Sequence, residues 1–140
     1  MMIAYRDGYK YQLAETYALV VPVCPSVGVG NQWIDLTPQG MLTIQRGYAW
    51  DGPSGPTVDS PCFMRGSLVH DALYQIMRES LIPETYREVA DRTLQRICRE
   101  DGMTRLRAWW VYQGVHLFGG PCADPHRAKP VRTAPTGVAA

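Results

Sequence analysis

The residues in this chain best suited to chemistry lie near its middle: His70, Asp71 and Tyr74 in Val69-His70-Asp71-Ala72-Leu73-Tyr74, and Asp91 in Val89-Ala90-Asp91-Arg92. On a helix turning about 100° per residue, Leu68, Val69, Ala72, Leu73, Ile76 and Met77 fill one half. His70 and Tyr74 then stack at the edge of that half, with Asp71 beside them. An imidazole half-buried in this way is expected to stay neutral and to accept a proton. Asp71 diverges from the ring and is placed to hold a cation that His70 does not touch. Asp91 borders the apolar stripe of a second helix. If that helix packs antiparallel across the short Ser80 to Pro83 connection, Asp91 reaches the imidazole, fixes its tautomer and stabilises the imidazolium. We expect Nδ1 of His70 to face it. The chemistry implied is general-base hydrolysis, in which His70 deprotonates water.

A Pro/Gly-rich segment precedes this helix: Trp50-Asp51-Gly52-Pro53-Ser54-Gly55-Pro56-Thr57-Val58-Asp59. Its glycines allow backbone carbonyls to turn inward as hard oxygen ligands, the type calcium takes. Gly52 and Gly55 are therefore metal-site candidates with Asp71. The oxygens of Asp51, Thr57 and Asp59 either join them or cap turns. A structural reading stands beside each functional one: the loop as a rigid crossover from sheet to helix, and the four polar residues as a buried network tying two helices together.

The elements that must position these groups follow from periodicity. Tyr9 to Val23 reads as strand with a break near Ala14-Glu15, ended by Pro22 and Pro25. Trp33 to Leu36 and Met41 to Trp50 read as a hairpin around Thr37-Pro38-Gln39-Gly40, a type I turn pattern. Ser60-Pro61 reads as a helix start with a hydroxyl cap, opening a helix over 61–79. A second helix is expected over about 84–101 and a third over about 104–118. Helix three is apolar on most sides, so we expect it sandwiched between the other helices and the sheet, with Trp109 and Trp110 in the core. Strands followed by helices indicate an α+β fold. After Gly119 the aromatics stop and prolines recur, which predicts a single domain over 1–118 and a flexible Pro/Ala-rich tail over 119–140.

Composition narrows the function classes. The chain has 140 residues, with 14 Lys plus Arg against 13 Asp plus Glu, a net charge of +1. That balance argues against a general nucleic-acid binder, which needs a basic excess to displace counterions. Arg6 and Asp7 stand where an export signal needs apolar residues, and no apolar run is long enough to span a bilayer. Folding in a cytoplasm, with at most peripheral membrane contact, is therefore expected. Cys24, Cys62, Cys98 and Cys122 are widely spaced, which disfavours structural zinc. They read as small buried hydrophobes plus one tail thiol. His116 and His126 find no partner in the pattern, which also disfavours an HD-type metal phosphohydrolase.

These residues carry two resemblances. A Gly-rich loop, then His-Asp-x-x-Tyr on one helix and Ala-Asp on the next, resembles phospholipase A₂ enzymes, in particular the disulfide-free domains of small-virus capsid proteins. The resemblance spans about Trp50 to Arg92. It implies His70 as general base, Asp91 and Tyr74 as the groups orienting it, and a calcium ion on Asp71 with Gly52 and Gly55. The loop departs from those enzymes at Pro53 and Pro56, which lack backbone N–H groups. A longer stretch, about Tyr5 to Phe118, is similar to a phage and prophage family catalogued as domain of unknown function 1353. Its marks are Tyr9-Lys10-Tyr11-Gln12-Leu13, Trp50 to Thr57, Met64 to Tyr74 and Ala90-Asp91-Arg92.

Two functions are thus expected in competition. One is a calcium-dependent hydrolase of lipid esters at a host envelope, acting on a phospholipid membrane surface. The other is a non-catalytic virion component of a tail tip, baseplate or assembly intermediate, partnered by other virion proteins and retaining the four residues as structure.

Overall fold

The computed structural model describes residues 3–5, 11–52, 60–127 and 132–134. Short strands come first: β1 (Ile3–Tyr5), β2 (Tyr11–Gln12), β3 (Tyr17–Val20), β4 (Val29–Gly30), β5 (Ile34–Leu36), β6 (Met41–Ile44) and β7 (Ala49–Trp50). Helices α1 (Pro61–Arg78), α2 (Arg87–Glu100), α3 (Arg105–Phe118) and α4 (Gly120–Ala123) follow, with 3₁₀ turns at Glu84–Tyr86 and Pro125–Arg127. A final strand, β8 (Arg132–Ala134), pairs antiparallel with β1. The fold is α+β, with strands leading and helices closing the chain.

The larger sheet is antiparallel with order β3-β6-β5-β4. β5 and β6 form the expected hairpin, with Ile34 opposite Ile44 and Leu36 opposite Leu42. Side chains alternate between the faces of a strand, so these four share one face and are no more than 1% exposed. The second strand of the hairpin is shorter than its alternation suggested. It stops at Ile44, the chain turns through Gln45 to Gly47, and β7 pairs with β2 instead.

Helix α1 lies at the centre of the structure. Ser60 takes the extended N-cap conformation and Pro61 opens the helix, but the Ser60 hydroxyl caps nothing. It sits 3.2 Å from Cys62 Sγ instead. Leu68, Val69, Ala72, Leu73, Ile76 and Met77 share one core with the inward face of the sheet and with Ala90 and Ile97 of α2. Polar ties register α1 and its C-cap against the β-half, among them Trp50 Nε1–H to Ser67 Oγ at 3.2 Å, Tyr48 O–H to Gln75 Oε1 at 2.9 Å, Arg65 Nη1–H to the Tyr17 hydroxyl at 3.0 Å and Asn31 Nδ2–H to Glu79 Oε2 at 2.6 Å. Helices α1 and α2 are antiparallel, because their contacts run in opposite directions along the two sequences. Tyr74 meets Arg87, His70 meets Asp91, and Gly66 lies against Leu94 and Cys98. At Gly66 an added Cβ would come within 2.9 Å of both Leu94 Cδ1 and Cys98 Sγ, so glycine sets how closely the helices approach.

Three expectations are corrected here. Helix α3 is not sandwiched: it packs through Ala108, Val111 and Tyr112, while Leu106, Trp109, Trp110, Leu117 and Phe118 are 48–80% exposed. Its outer side meets no other layer of the described residues, and hydrophobicity alone does not report how many neighbours a helix has. The packed structure also runs past Phe118. α4 lies against α1, Ala123 is fully buried, and Arg78 Nη1–H donates to the Cys122 carbonyl at 2.8 Å. The remainder of the expected tail, 128–131 and 135–140, lies outside the described residues. Of the cysteines only Cys98 is fully buried, its thiol pushed up to about 12 by burial, whereas Cys24 as well as Cys122 is exposed.

This arrangement sets a stability contrast. Leu73→Ala should destabilise the protein by about 2–5 kcal/mol by opening a cavity in the central core. Trp109→Ser, on the open side of α3, should cost less than about 1 kcal/mol. Urea denaturation of the two variants checks the placement; equal losses would put Trp109 inside.

Candidate active site

His70 and Tyr74 occupy adjacent turns of α1, their rings 4.1 Å apart between centroids, as the four-residue spacing requires. Asp91 faces them from α2 and is completely buried. Its Oδ1 accepts twice, from His70 Nε2–H at 2.8 Å and from the Tyr74 hydroxyl at 2.6 Å. The expected partnership of His70, Tyr74 and Asp91 is therefore present, with one correction. It is Nε2, not Nδ1, that meets Asp91. Nδ1 is left on the side of Asp71, whose Oδ1 is 3.7 Å away.

Two residues that the sequence did not single out complete the arrangement. Arg87, from the first turn of α2, donates through Nε to the Tyr74 hydroxyl at 3.2 Å. Its other end donates to the carbonyls of Val115 and His116, which ties α3 to the site. His116 stacks on Tyr112 with centroids 5.3 Å apart and brings Nδ1 to 3.6 Å from Asp91 Oδ2. Both of these atoms are buried and neither has a hydrogen-bond partner among the described residues. Asp91 thus lies between two imidazoles, one in hydrogen-bond contact and one just beyond it. No sequence signal links positions 91 and 116, because their proximity comes from the packing of α3 on α2.

The electrostatics differ from the expectation of a neutral imidazole. Burial opposes charge on His70, but the carboxylates of Asp71 and Asp91 outweigh it, and its pKa lies above the ordinary 6.5. The Tyr74 hydroxyl moves up as well, first through burial and then through the bond to Asp91, so it remains a donor.

His70, Asp71 and Tyr74 line one wall of a cavity of about 550 Å³. That volume falls within the range of small-molecule sites, roughly 300–1,000 Å³. Most of the lining is apolar, contributed by Trp50, Phe63, Trp110, Val111, Val115 and Leu117. Asp51 and Gly52 line the same cavity. Gly52 has φ +78°, and a Cβ there would come within 2.4 Å of a Tyr11 ring carbon, so only glycine fits. Gly55, Thr57 and Asp59 lie outside the described residues. Among the described residues no three His, Cys, Asp or Glu side chains converge as a metal-holding group. Compared with protein-family models, curated proteins and solved structures, the chain matches none.

The raised pKa of His70 has a consequence for stability. A protonated imidazole held by two carboxylates stabilises the native state fully below its unfolded-chain value of about 6.5, and that contribution is lost as pH climbs through the folded value. The stability advantage of the wild type over His70→Gln should therefore be full below about pH 6.5 and shrink as the pH rises above it. Thermal unfolding of the two proteins across that range measures it, and an advantage that grows with pH would contradict the assignment.

Proposed function

We propose that this protein hydrolyses carboxylic esters of amphipathic lipids, with His70 as the general base. The observation that carries the reading is the setting of His70, which lines an apolar cavity with its Nε2–H held by a buried carboxylate and its Nδ1 3.7 Å from Oδ1 of Asp71, another lining residue. At a pH above its raised pKa His70 is neutral, and with its proton on Nε2 it presents a lone pair at Nδ1. Water placed at Nδ1 gives up a proton to it as its oxygen forms a bond to the ester carbonyl carbon. Asp91 stabilises the imidazolium that results, and Tyr74, itself held by Arg87, keeps Asp91 in place. The proton then passes from Nδ1 to the departing alkoxide as the original ester C–O bond breaks, leaving a fatty acid and an alcohol. The apolar walls supplied by Trp50, Phe63 and α3 suit an acyl chain in a way they do not suit a polar ester.

The resemblance of His70-Asp71-Ala72-Leu73-Tyr74 and Ala90-Asp91 to phospholipase A₂ enzymes supports the same reading, and so does the similarity to a phage and prophage family, which would place the target in a host envelope. Calcium fits the available donors in kind: the Asp71 carboxylate and the Gly52 backbone supply hard oxygens at the cavity wall, with Asp51 beside them. Bound there, a calcium ion would neutralise charge developing on the ester carbonyl oxygen. Few protein carboxylates are involved, so such a site would be weak and calcium would be needed at millimolar levels.

Purified protein in millimolar calcium should release free fatty acid from dispersed glycerophospholipid. His70→Gln should reduce the rate by about 10²-fold or more with the fold retained by circular dichroism. Asp71→Asn should remove the calcium dependence together with most of the activity. No release from phospholipids of several headgroups would return His70, Tyr74 and Asp91 to a structural tie between α1 and α2.

A further inference from the structure

Helix α3 is apolar on two opposite sides. Ala108, Val111 and Tyr112 bury inward, whereas Leu106, Trp109, Trp110 and Leu117 fall on the reverse side and Phe118 follows at the helix end. Single exposed apolar side chains are ordinary on a protein surface, but a cluster of five large ones on one short helix marks a surface for interaction. The Trp109 and Trp110 rings lie 6.5 Å apart at its middle.

Three features select the occupant. First, Trp110, Leu117 and Phe118 belong at once to this exposed face and to the lining of the cavity beside His70. The face is the rim of the cavity, so whatever docks there borders the entrance. A folded protein seated on it would cover that entrance, whereas a layer of amphiphiles would supply it. Second, α3 contains no acidic residue, and Arg105 and Arg107 flank Leu106 at its start. That charge suits an anionic surface, which attracts basic side chains lying close to it. Third, the side chains are of the kind that favours a lipid–water boundary: tryptophan joins an apolar ring to a polar N–H, and leucine and phenylalanine reach deeper.

We propose that the outer face of α3 docks the protein onto an anionic lipid surface, the helix lying in the plane of the interface with the cavity mouth turned toward the lipid. The inference rests on the lipid-ester reading above and adds to it the surface by which substrate is reached.

Flotation of the full chain with vesicles tests this. The wild type should float with phosphatidylglycerol vesicles and much less with phosphatidylcholine vesicles. Leu106→Ser combined with Trp109→Ser changes two exposed residues that do not line the cavity. This variant should bind phosphatidylglycerol about tenfold or more weakly, yet turn over a soluble short-chain ester at the wild-type rate. Failure of the wild type to float, or equal flotation of the variant, overturns the docking surface even if the soluble ester is hydrolysed. Flotation that the double substitution removes supports the surface even if no ester is hydrolysed, so the two readings fail separately. A wild-type dimer that the same substitutions convert to monomer, without vesicle binding by either, assigns the face to a second copy and overturns the lipid.

Discussion

The carboxylate of Asp91 is the group on which the architecture turns. A fully buried charge is costly unless it is paired and hydrogen-bonded. The Asp91 charge is compensated by His70 and Tyr74 on α1, with Arg87 of α2 behind Tyr74, while His116 on α3 lies just beyond hydrogen-bond distance. Arg87 extends the constraint by binding backbone carbonyls near the end of α3. Sliding α1 against α2 by a turn would strand that charge. The polar cluster therefore specifies helix register, which the surrounding Leu, Ile and Val contacts, being non-directional, do not.

The same cluster produces the chemical asymmetry of the site. One nitrogen of His70 is committed to Asp91 in the dry interior and the other lies 3.7 Å from Asp71, which lines the cavity. The two carboxylates pull in the same direction on the imidazole but from different places: Asp91 from full burial, and Asp71 from a partly exposed position at the cavity wall. A carboxylate that holds two helices in register here also holds an imidazole in one tautomer.

Around this core the apolar surface is unevenly distributed. α1 spends its hydrophobic residues on several neighbours, the sheet and α2 chief among them, and most of its length is buried. α3 is at least as rich in apolar residues for its length but has a smaller buried face, so the excess is displayed outward and along the cavity rim. Helix hydrophobicity and helix burial thus part company, and the difference is located where the cavity opens.

Much of this protein was legible from its sequence. Alternation in Ile34 to Ile44 and the apolar spacing of Leu68 to Met77 and of Ala90 to Cys98 determined the strands, the helices and their order, because local periodicity reports which face of an element is buried. The i, i+4 relation of His70 and Tyr74 is a property of any helix, and an antiparallel partner with a short connection brought Asp91 within reach. What only the tertiary structure decided involves contacts with no local period. The ring nitrogen that meets Asp91 depends on the rotation of α1 relative to α2. The position of His116 beside Asp91, the burial of Ala123 beyond the expected end of the fold, and the outward turn of Trp109 and Trp110 all depend on where α3 and α4 lie. A helix carries in its sequence how apolar each face is, but the number of neighbours available to cover those faces is a property of the assembled chain.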